Sequence, residues 1–337
     1  MLLIRHLIIG LLFFTYAHTA YAAEEALFFN KNKWNVSGYL KLEFAAANNQ
    51  PTAIEIDDLS LFISGNINRW INPFIEAELY QIPLWQSGEG LQFNDINFII
   101  ERLYNDSKLT DATTLRLGKF LAPVSRWNLL HAAPLVWTTS RPLTTKYSFA
   151  NYISGIHIRH ELDVFSGHAL EFYWQPYEDF YPKPRSKSRH YQSIYGASWI
   201  LQDDLDRYLS FNIQHANVKH SNESRTTIGI NGMLHHEYFE LESELLSTWV
   251  NNQPNNINAQ DWGGYLQLSV PIPFDLNIIS RYEHFEFSHQ SQAVDTFLNG
   301  LVYRPYSKLS LKLEWQQSWG SLQENKTGLY ASVAVMF

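Results

Sequence analysis

The sequence of 337 residues contains no cysteine, so neither disulfide bonds nor thiolate metal sites hold the folded chain together. Charged residues make up only 17% of the chain, and the formal net charge of −8 lacks the basic excess that nucleic-acid-binding proteins carry. Beyond Ala23 there is no apolar run of the roughly 20 residues that a membrane-spanning helix needs. These absences exclude a disulfide scaffold and a multi-helix membrane protein, and nucleic acid is not expected as a partner.

The N-terminal segment has the three parts of an export signal. Arg5 precedes an apolar stretch from Leu7 to Phe14, and the small-residue site Ala20–Ala22 comes just before Ala23. This order predicts a cleaved signal peptide over residues 1–22 and a mature chain over residues 23–337. A retained membrane anchor is the alternative, but the apolar stretch is short for that role.

Apolar and polar residues alternate with a period of two along much of the chain. In one segment Leu309, Leu311 and Leu313 fall on one phase, while Ser310 and Lys312 fall on the other. Such alternation is typical of strands with one apolar face and one polar face. Helical spacing with capping residues is not evident, so the chain is expected to be all-β.

About sixteen segments have the roughly 9–11 residues that a tilted membrane-spanning strand needs. Their centres are Tyr39, Leu61, Ala77, Phe98, Leu117, Ile156, Phe172, Ala197, Phe211, Gly229, Leu241, Leu268, Ile278, Leu301, Leu311 and Val333. Short turns follow the even-numbered segments, and mostly longer loops follow the odd-numbered ones. With tryptophans near the segment ends, this asymmetry predicts a transmembrane antiparallel β-barrel whose short turns face the periplasm. A soluble sandwich or propeller is the alternative.

The last segment places its apolar residues on one phase: Leu329, Ala331, Val333, Val335 and Phe337. If this strand closes the barrel, these residues face lipid. A terminal strand that ends in an aromatic residue resembles the assembly signal of bacterial outer-membrane proteins, which implies the outer-membrane assembly machinery as a partner. A terminal strand that merely ends in phenylalanine is the alternative.

The phase opposite the apolar stripe predicts which charged residues line the lumen, because the interior of a barrel this wide is polar and can hold water. The predicted basic side consists of Arg116, Arg126, Arg141, His157 and Arg159. The predicted facing acids are Glu76, Glu78, Glu240, Glu242 and Glu244, and Arg281 and Lys312 are also predicted to line the pore. Opposed charges would orient charged and dipolar solutes. The alternative is that these charges only keep the channel wet.

The longest connection, Leu121 to Asn151, follows the fifth predicted strand and is the third on the outer side. Loops of this length without structure of their own are usually functional. Its apolar content predicts that it folds into the lumen as a constriction loop, the alternative being an ordinary external loop.

The stretch RLGKFLAPVSRWN, Arg116 to Asn128, resembles the G-[KR]-F-x-x-P-x-G stretch before the constriction loop of the phosphate-selective porin O and P-like family and related sixteen-stranded porins. The resemblance implies an outer-membrane porin for passive diffusion of small hydrophilic or charged solutes and, by analogy, a homotrimer. Ser125 stands where that family usually has glycine. The arginine ladder and lysine cluster of the phosphate-specific members are missing, so the resemblance implies the architecture and not phosphate specificity.

Other functions remain as alternatives. A non-conducting barrel with a structural or adhesive role is one, and an outer-membrane hydrolase is another. The sequence contains neither G-x-S-x-G nor H-E-x-x-H, so no enzyme activity, cofactor or metal is expected. The basic stretch from Lys183 to Arg189 would contact lipopolysaccharide phosphates or attract anionic solutes, although a solvated loop with neither role is equally consistent.

Overall fold

A computed structural model describes most of the chain after the first 32 residues. The described residues are 33–92, 96–130, 132–162, 167–180, 189–203, 206–251, 259–287, 292–321 and 327–337. The predicted signal peptide, His131 and the basic residues Lys183, Arg185 and Lys187 lie outside them.

Strands dominate the described part of the chain, as the period-two pattern predicts. They are β1 (Trp34–Ala47), β2 (Ala53–Gly65), β3 (Pro73–Gln86), β4 (Gly90–Leu91), β5 (Asn97–Lys108), β6 (Thr113–Leu121), β7 (Tyr152–Glu161), β8 (His168–Gln175), β9 (Tyr191–Asp203), β10 (Arg207–Val218), β11 (Ser224–His236), β12 (Phe239–Asn251), β13 (Ala259–Ile272), β14 (Leu276–Phe287), β15 (Gln292–Tyr306), β16 (Leu309–Gly320) and β17 (Gly328–Met336). The two-residue β4 pairs with the end of β3, so sixteen long strands build the wall. Every predicted strand centre lies in one of them.

The wall is a closed antiparallel barrel. Each long strand pairs with its neighbours in sequence, and β1 pairs with β17 from Tyr39↔Met336 to Ala47↔Gly328. Closure leaves no unpaired sheet edge, which a membrane-spanning sheet requires because lipid supplies no hydrogen-bond partners. The predicted sixteen-stranded barrel is therefore confirmed.

Side chains alternate across the wall in the predicted phase. On β16, Lys312 and Glu314 are buried inside the barrel, whereas Leu313 and Trp315 are each about half exposed on its outer surface. An apolar outer face suits lipid, and a polar inner face can hold water.

The chain terminus takes part in closure. Phe337 and Gly38 exchange backbone hydrogen bonds of 2.9 Å in both directions, one step beyond the regular β1–β17 register. A Cβ atom added to Gly38 would lie 2.5 Å from the carbonyl oxygen of Ser60 and 2.7 Å from the Phe337 ring. Glycine at position 38 therefore makes room for the terminal aromatic ring.

The connection between β6 and β7, residues 122–151, contains two short helices and is called the 122–151 segment below. They are α1 (Arg126–Leu129), capped by the Ser125 hydroxyl, which accepts from the Asn128 N–H at 3.4 Å, and α2 (Leu143–Tyr147). No helix in the described residues is long and apolar enough to cross a membrane. Apolar side chains at both ends of the segment pack with those of the wall, in a cluster that includes Phe120, Val124, Phe149, Ile153 and Leu246.

Candidate functional site

The inner face of the barrel is the candidate site, and its main feature is the attachment of the peptide Thr138–Ser140 to the wall. The carboxylate of Glu314 accepts hydrogen bonds from the backbone N–H groups of Thr139 and Ser140, both at 2.9 Å. Arg281 donates to the Thr138 hydroxyl at 2.7 Å, to the Ser140 hydroxyl at 2.9 Å and to the Ser140 carbonyl at 3.1 Å. These bonds satisfy backbone groups of a non-regular peptide that would otherwise be buried without partners.

Two lysines complete this attachment. Lys312 donates from Nζ to the carbonyl oxygens of Ala133 at 2.7 Å and Thr138 at 3.2 Å. Lys41 donates to the Thr139 carbonyl at 3.3 Å and pairs with Asp57 at 2.5 Å. We call the peptide 138–140 together with Lys41, Arg281, Lys312 and Glu314 the anchor.

The anchor changes the role of two predicted pore-lining residues. Arg281 is fully buried and Lys312 is 4% exposed, because both side chains are covered by the 122–151 segment. Both side chains therefore bind the segment, and their pore-lining role stays a prediction. The prediction assumed that every inward-facing charge on the wall meets water.

The rest of the 122–151 segment lies against a second part of the inner face, on β10 and β11. Asn231 on β11 accepts from the Arg126 N–H at 3.0 Å and donates to the Val124 carbonyl at 2.9 Å. Gln214 on β10 accepts from the Ala150 N–H at 2.7 Å. The hydroxyl of Thr227 donates to the Ser148 carbonyl at 2.8 Å. The segment thus contacts inward-facing side chains from β10 round to β16 and β1.

The predicted acidic row on β12 lies beside the segment. Glu240 accepts from the Trp137 indole N–H at 2.6 Å, and Glu242 accepts from the Tyr265 hydroxyl at 3.0 Å. Glu244 is buried, and its row neighbour Glu242 lies 3.5 Å from the guanidinium of Arg126. Arg126 consequently lies beside the acids of β12, whereas the prediction groups it with the basic residues of β6 and β7.

The predicted basic neighbours on β6 and β7 do lie together. Arg116 stands directly opposite His157 in the strand register. The Arg116 guanidinium donates to both carboxylate oxygens of Asp106, at 2.7 and 2.8 Å, while Arg159 donates to Glu171 at 2.7 Å. Each arginine therefore has an acidic partner on the adjacent strand.

The predicted acids Glu76 and Glu78 lie on β3, which is separated from β6 by β5 alone. They lie on the same part of the wall as Arg116, whereas the prediction places them across the lumen from it. Both are buried, and Glu76 forms an ion pair with Arg102 on β5. Local ion pairs therefore replace the predicted segregation of charge.

Exposure divides the inward-facing ion pairs into two groups. The side chains of one group, on β5 to β7, are 19–35% exposed: Arg102, Asp106, Arg116 and Arg159. The side chains of the other group, on β11 to β14, are at most 3% exposed: Arg225, Asp261, Arg281 and Glu283. Arg141, on the 122–151 segment, is also exposed, and its guanidinium carbon lies 5.2 Å from the centre of the Trp127 ring. Solvent thus reaches these four side chains of β5 to β7, whereas the four side chains of β11 to β14 are buried.

An inward-facing row of aromatic rings was not predicted. Tyr39, Phe62, Phe74 and Tyr104 lie on β1, β2, β3 and β5, with successive ring centroids 5.7, 6.0 and 5.0 Å apart. The Arg116 guanidinium carbon lies 3.9 Å from the centroid of Tyr104, so the row ends at the basic pair on β6 and β7. The sequence does contain a signal for this row, because all four aromatic residues fall on the polar phase of their strands and so point inward.

A closed sixteen-stranded wall with an apolar outer face and a charged inner face defines an outer-membrane barrel of the porin type. Comparison with solved structures supports this class. The chain is similar to the anion-selective porin from Comamonas acidovorans, with 13% identity, a TM-score of 0.66 and coverage of 90% of this chain and 99% of that chain. It is also similar to OmpF of Salmonella typhi, with 11% identity, a TM-score of 0.66 and coverage of 91% and 97%. It is similar as well to the outer membrane channel DcaP of Acinetobacter baumannii, with 8% identity, a TM-score of 0.60 and coverage of 90% of this chain and 97% of that chain.

At these identities the similarity shows the fold alone. No protein-family model matches the chain, and no curated protein matches it in sequence. The specific resemblance to the phosphate-selective porin O and P-like family is therefore not confirmed, while the sixteen-stranded porin architecture and an outer-membrane location are supported.

The residues that carried that resemblance have clear structural roles. Gly118 adopts a φ of 130°, and a Cβ there would lie 2.1 Å from the Leu103 carbonyl oxygen. Lys119 is fully buried and pairs with Asp179 at 2.8 Å. These roles concern packing at the base of the 122–151 segment, which is consistent with a motif that marks architecture.

Proposed function

We propose that the protein is an outer-membrane channel through which small hydrophilic solutes diffuse passively, and that the 122–151 segment narrows its lumen. The observation that carries the proposal is the closed barrel with the segment bonded to the inner face from β10 to β1, beside exposed ion pairs on β5 to β7. In this arrangement the water-filled path runs along β5 to β7.

The charges along this path set its selectivity. Arg116 and Arg159 are partly exposed cations on β6 and β7, and Asp106 and Glu171 balance them. Because neighbouring charges of opposite sign cancel at a distance, the channel selects weakly between anions and cations. No energy source is required for diffusion down a gradient.

The test is the conductance of the purified, folded protein in planar lipid bilayers. The proposal predicts discrete current steps whose size rises linearly with voltage. Folded protein that inserts without current steps would instead favour the structural or adhesive barrel. The hydrolase alternative gains no support from any feature of the inner face described above.

The proposal also covers how the protein is exported, how it is assembled into the membrane and which partners it has. We infer cleavage after Ala22, recognition of the β17 terminus by the outer-membrane assembly machinery, contact with lipopolysaccharide and outer-membrane lipid, and a homotrimer. One structurally similar protein, OmpT of Vibrio cholerae, is described in a trimer form. N-terminal sequencing of protein from membranes tests the cleavage site, and mass measurement of the detergent-solubilised protein tests the trimer.

A further inference from the structure

A separate cavity of about 140 Å³ lies inside the barrel near its short-turn end, between the 122–151 segment and the strands β12 and β15. Trp137 and Leu135 of the segment line one side, and Glu240 and Arg304 of the wall line the other. The volume is close to that of the ~150 Å³ protein cavity that holds one benzene molecule. A small organic solute fits, and an oligosaccharide does not.

The cavity presents charges of both signs around an apolar surface. Trp137 lies between Glu240 and Arg304: its indole N–H donates to Glu240 at 2.6 Å, and its ring centroid lies 3.9 Å from the Arg304 guanidinium carbon. The nearby Arg126–Glu242 pair, at 3.5 Å, adds one charge of each sign. Leu135 is half exposed, so an apolar side chain is available to a solute. A ligand that matches this surface carries one positive group, one negative group and an apolar body.

Arg304 is incompletely paired. Its terminal nitrogen donates to the carbonyl oxygens of Leu135 at 3.2 Å and Val136 at 2.9 Å, while its buried Nε has no hydrogen-bond partner. Among the described carboxylates, none lies within ion-pair distance of it. Because this partly buried guanidinium keeps one N–H without an acceptor, an incoming carboxylate would be stabilised here.

We propose that this cavity binds amino-acid-sized zwitterions with aliphatic side chains. The carboxylate pairs with Arg304, the ammonium group with Glu240, and the aliphatic part contacts Leu135 and Trp137. The inference rests on the proposed function, since solutes reach the cavity through the channel. It names the class of solute that binds inside the channel during passage.

The test is isothermal titration of the detergent-folded protein with three probes of similar shape: L-leucine, 4-methylpentanoate and 3-methylbutylamine. The first carries both charges, the second only the negative charge and the third only the positive charge. We expect L-leucine to bind about tenfold more tightly than either single-charge probe, the difference that one additional favourable ion pair provides.

Two variants of the barrel wall test the charges of Arg304 and Glu240 one at a time. Arg304→Met weakens L-leucine about tenfold and leaves 3-methylbutylamine unchanged. Glu240→Gln weakens L-leucine to the same extent and leaves 4-methylpentanoate unchanged. The unaffected probe shows in each case that the cavity is intact, and Leu135→Ala, at an exposed position, weakens all three probes. Equal binding of the three probes by the wild type, or equal losses for all three in both wall variants, would overturn the proposal.

Conductance measured on the same preparations separates this inference from the proposed function. L-leucine binding with the predicted charge pattern, in a protein that conducts no current, supports the binding site and contradicts the channel. Current steps without L-leucine binding contradict the binding site and leave the channel intact. Current steps that L-leucine interrupts in the wild type, but not in Arg304→Met, support both.

Discussion

The carboxylate of Glu314 on β16 accepts a hydrogen bond from the backbone N–H of Thr139 at 2.9 Å, although 175 positions separate the two residues. The same carboxylate accepts from Ser140, so a single side chain holds two consecutive peptide groups of the 122–151 segment. If the segment narrows the pore, this contact sets the pore's width.

Replacing Glu314 by alanine is expected to widen the channel. The variant leaves two buried N–H groups without acceptors, at a cost of about 1–3 kcal/mol each, and so loosens the segment. We expect single-channel conductance to rise roughly 1.5-fold with greater current noise, because the narrowest part of a pore limits ion flow. Glu286→Ala is the matched control, since Glu286 bonds to Trp262 on the exposed outer side. Unchanged conductance in correctly folded Glu314→Ala would show that the anchor does not set the width.

Neutralising the exposed arginines of β6 and β7 is expected to change ion selectivity. In the double variant Arg116→Gln, Arg159→Gln, the acids Asp106 and Glu171 lose their arginine partners, and the net charge of the path becomes more negative. The reversal potential in a salt gradient should shift toward the equilibrium potential of the cation. The shift should be clearest at low ionic strength, where screening is weak. Lys308→Gln, on the exposed turn between β15 and β16, removes a charge far from this path and serves as the control. An identical reversal potential in double variant and wild type would place these arginines away from the path.

The Lys119–Asp179 pair is expected to stabilise the outer end of the barrel. Asp179 also accepts from the Ser154 hydroxyl at 2.5 Å, so it joins the connection after β8 to β7 and β6. Asp179→Asn removes the negative charge beside the fully buried ammonium group of Lys119, and we expect a loss of about 3 kcal/mol in the free energy of unfolding. The double variant Lys119→Met, Asp179→Leu removes both charges and should recover most of that loss. Urea unfolding in lipid bilayers is the measurement, and equal stability of wild type and Asp179→Asn would contradict the assignment.

Gly38 is expected to be required for tight closure between β1 and β17. A methyl group at this position meets the Ser60 carbonyl and the Phe337 ring at distances that real Cβ atoms do not tolerate. Gly38→Ala should lower the melting temperature of the folded form by roughly 5 °C. Gly232→Ala, whose added Cβ has no neighbour closer than 3.7 Å, should leave it unchanged. The transition is read from the mobility of unheated and heated protein on gels, and equal transitions in both variants would refute this role of Gly38.

The sequence predicts the wall well because the relevant signal is local. Neighbouring residues such as Lys312 and Leu313 must point to opposite faces of a strand, so their polarity alone assigns one to the lumen and the other to lipid. Arg116 and His157 are register partners because consecutive antiparallel strands are neighbours in the sheet.

The interior is less predictable because its contacts join distant parts of the chain. Nothing near Thr139 indicates that Glu314 or Arg281 binds it, and backbone groups leave no sequence signal. Glu76 and Glu78 were predicted to face Arg116, but strand order places them on the same wall. The phase of a residue tells whether it points inward, and it does not tell whether water or another segment meets it there.

The most direct test of the account is the single-channel current of the wild-type protein and of Glu314→Ala in the same planar bilayers. The account predicts regular current steps for the wild type and larger, noisier steps for the variant. Absence of steps in folded, inserted wild-type protein, or identical steps in the two proteins, would contradict a channel narrowed by the 122–151 segment.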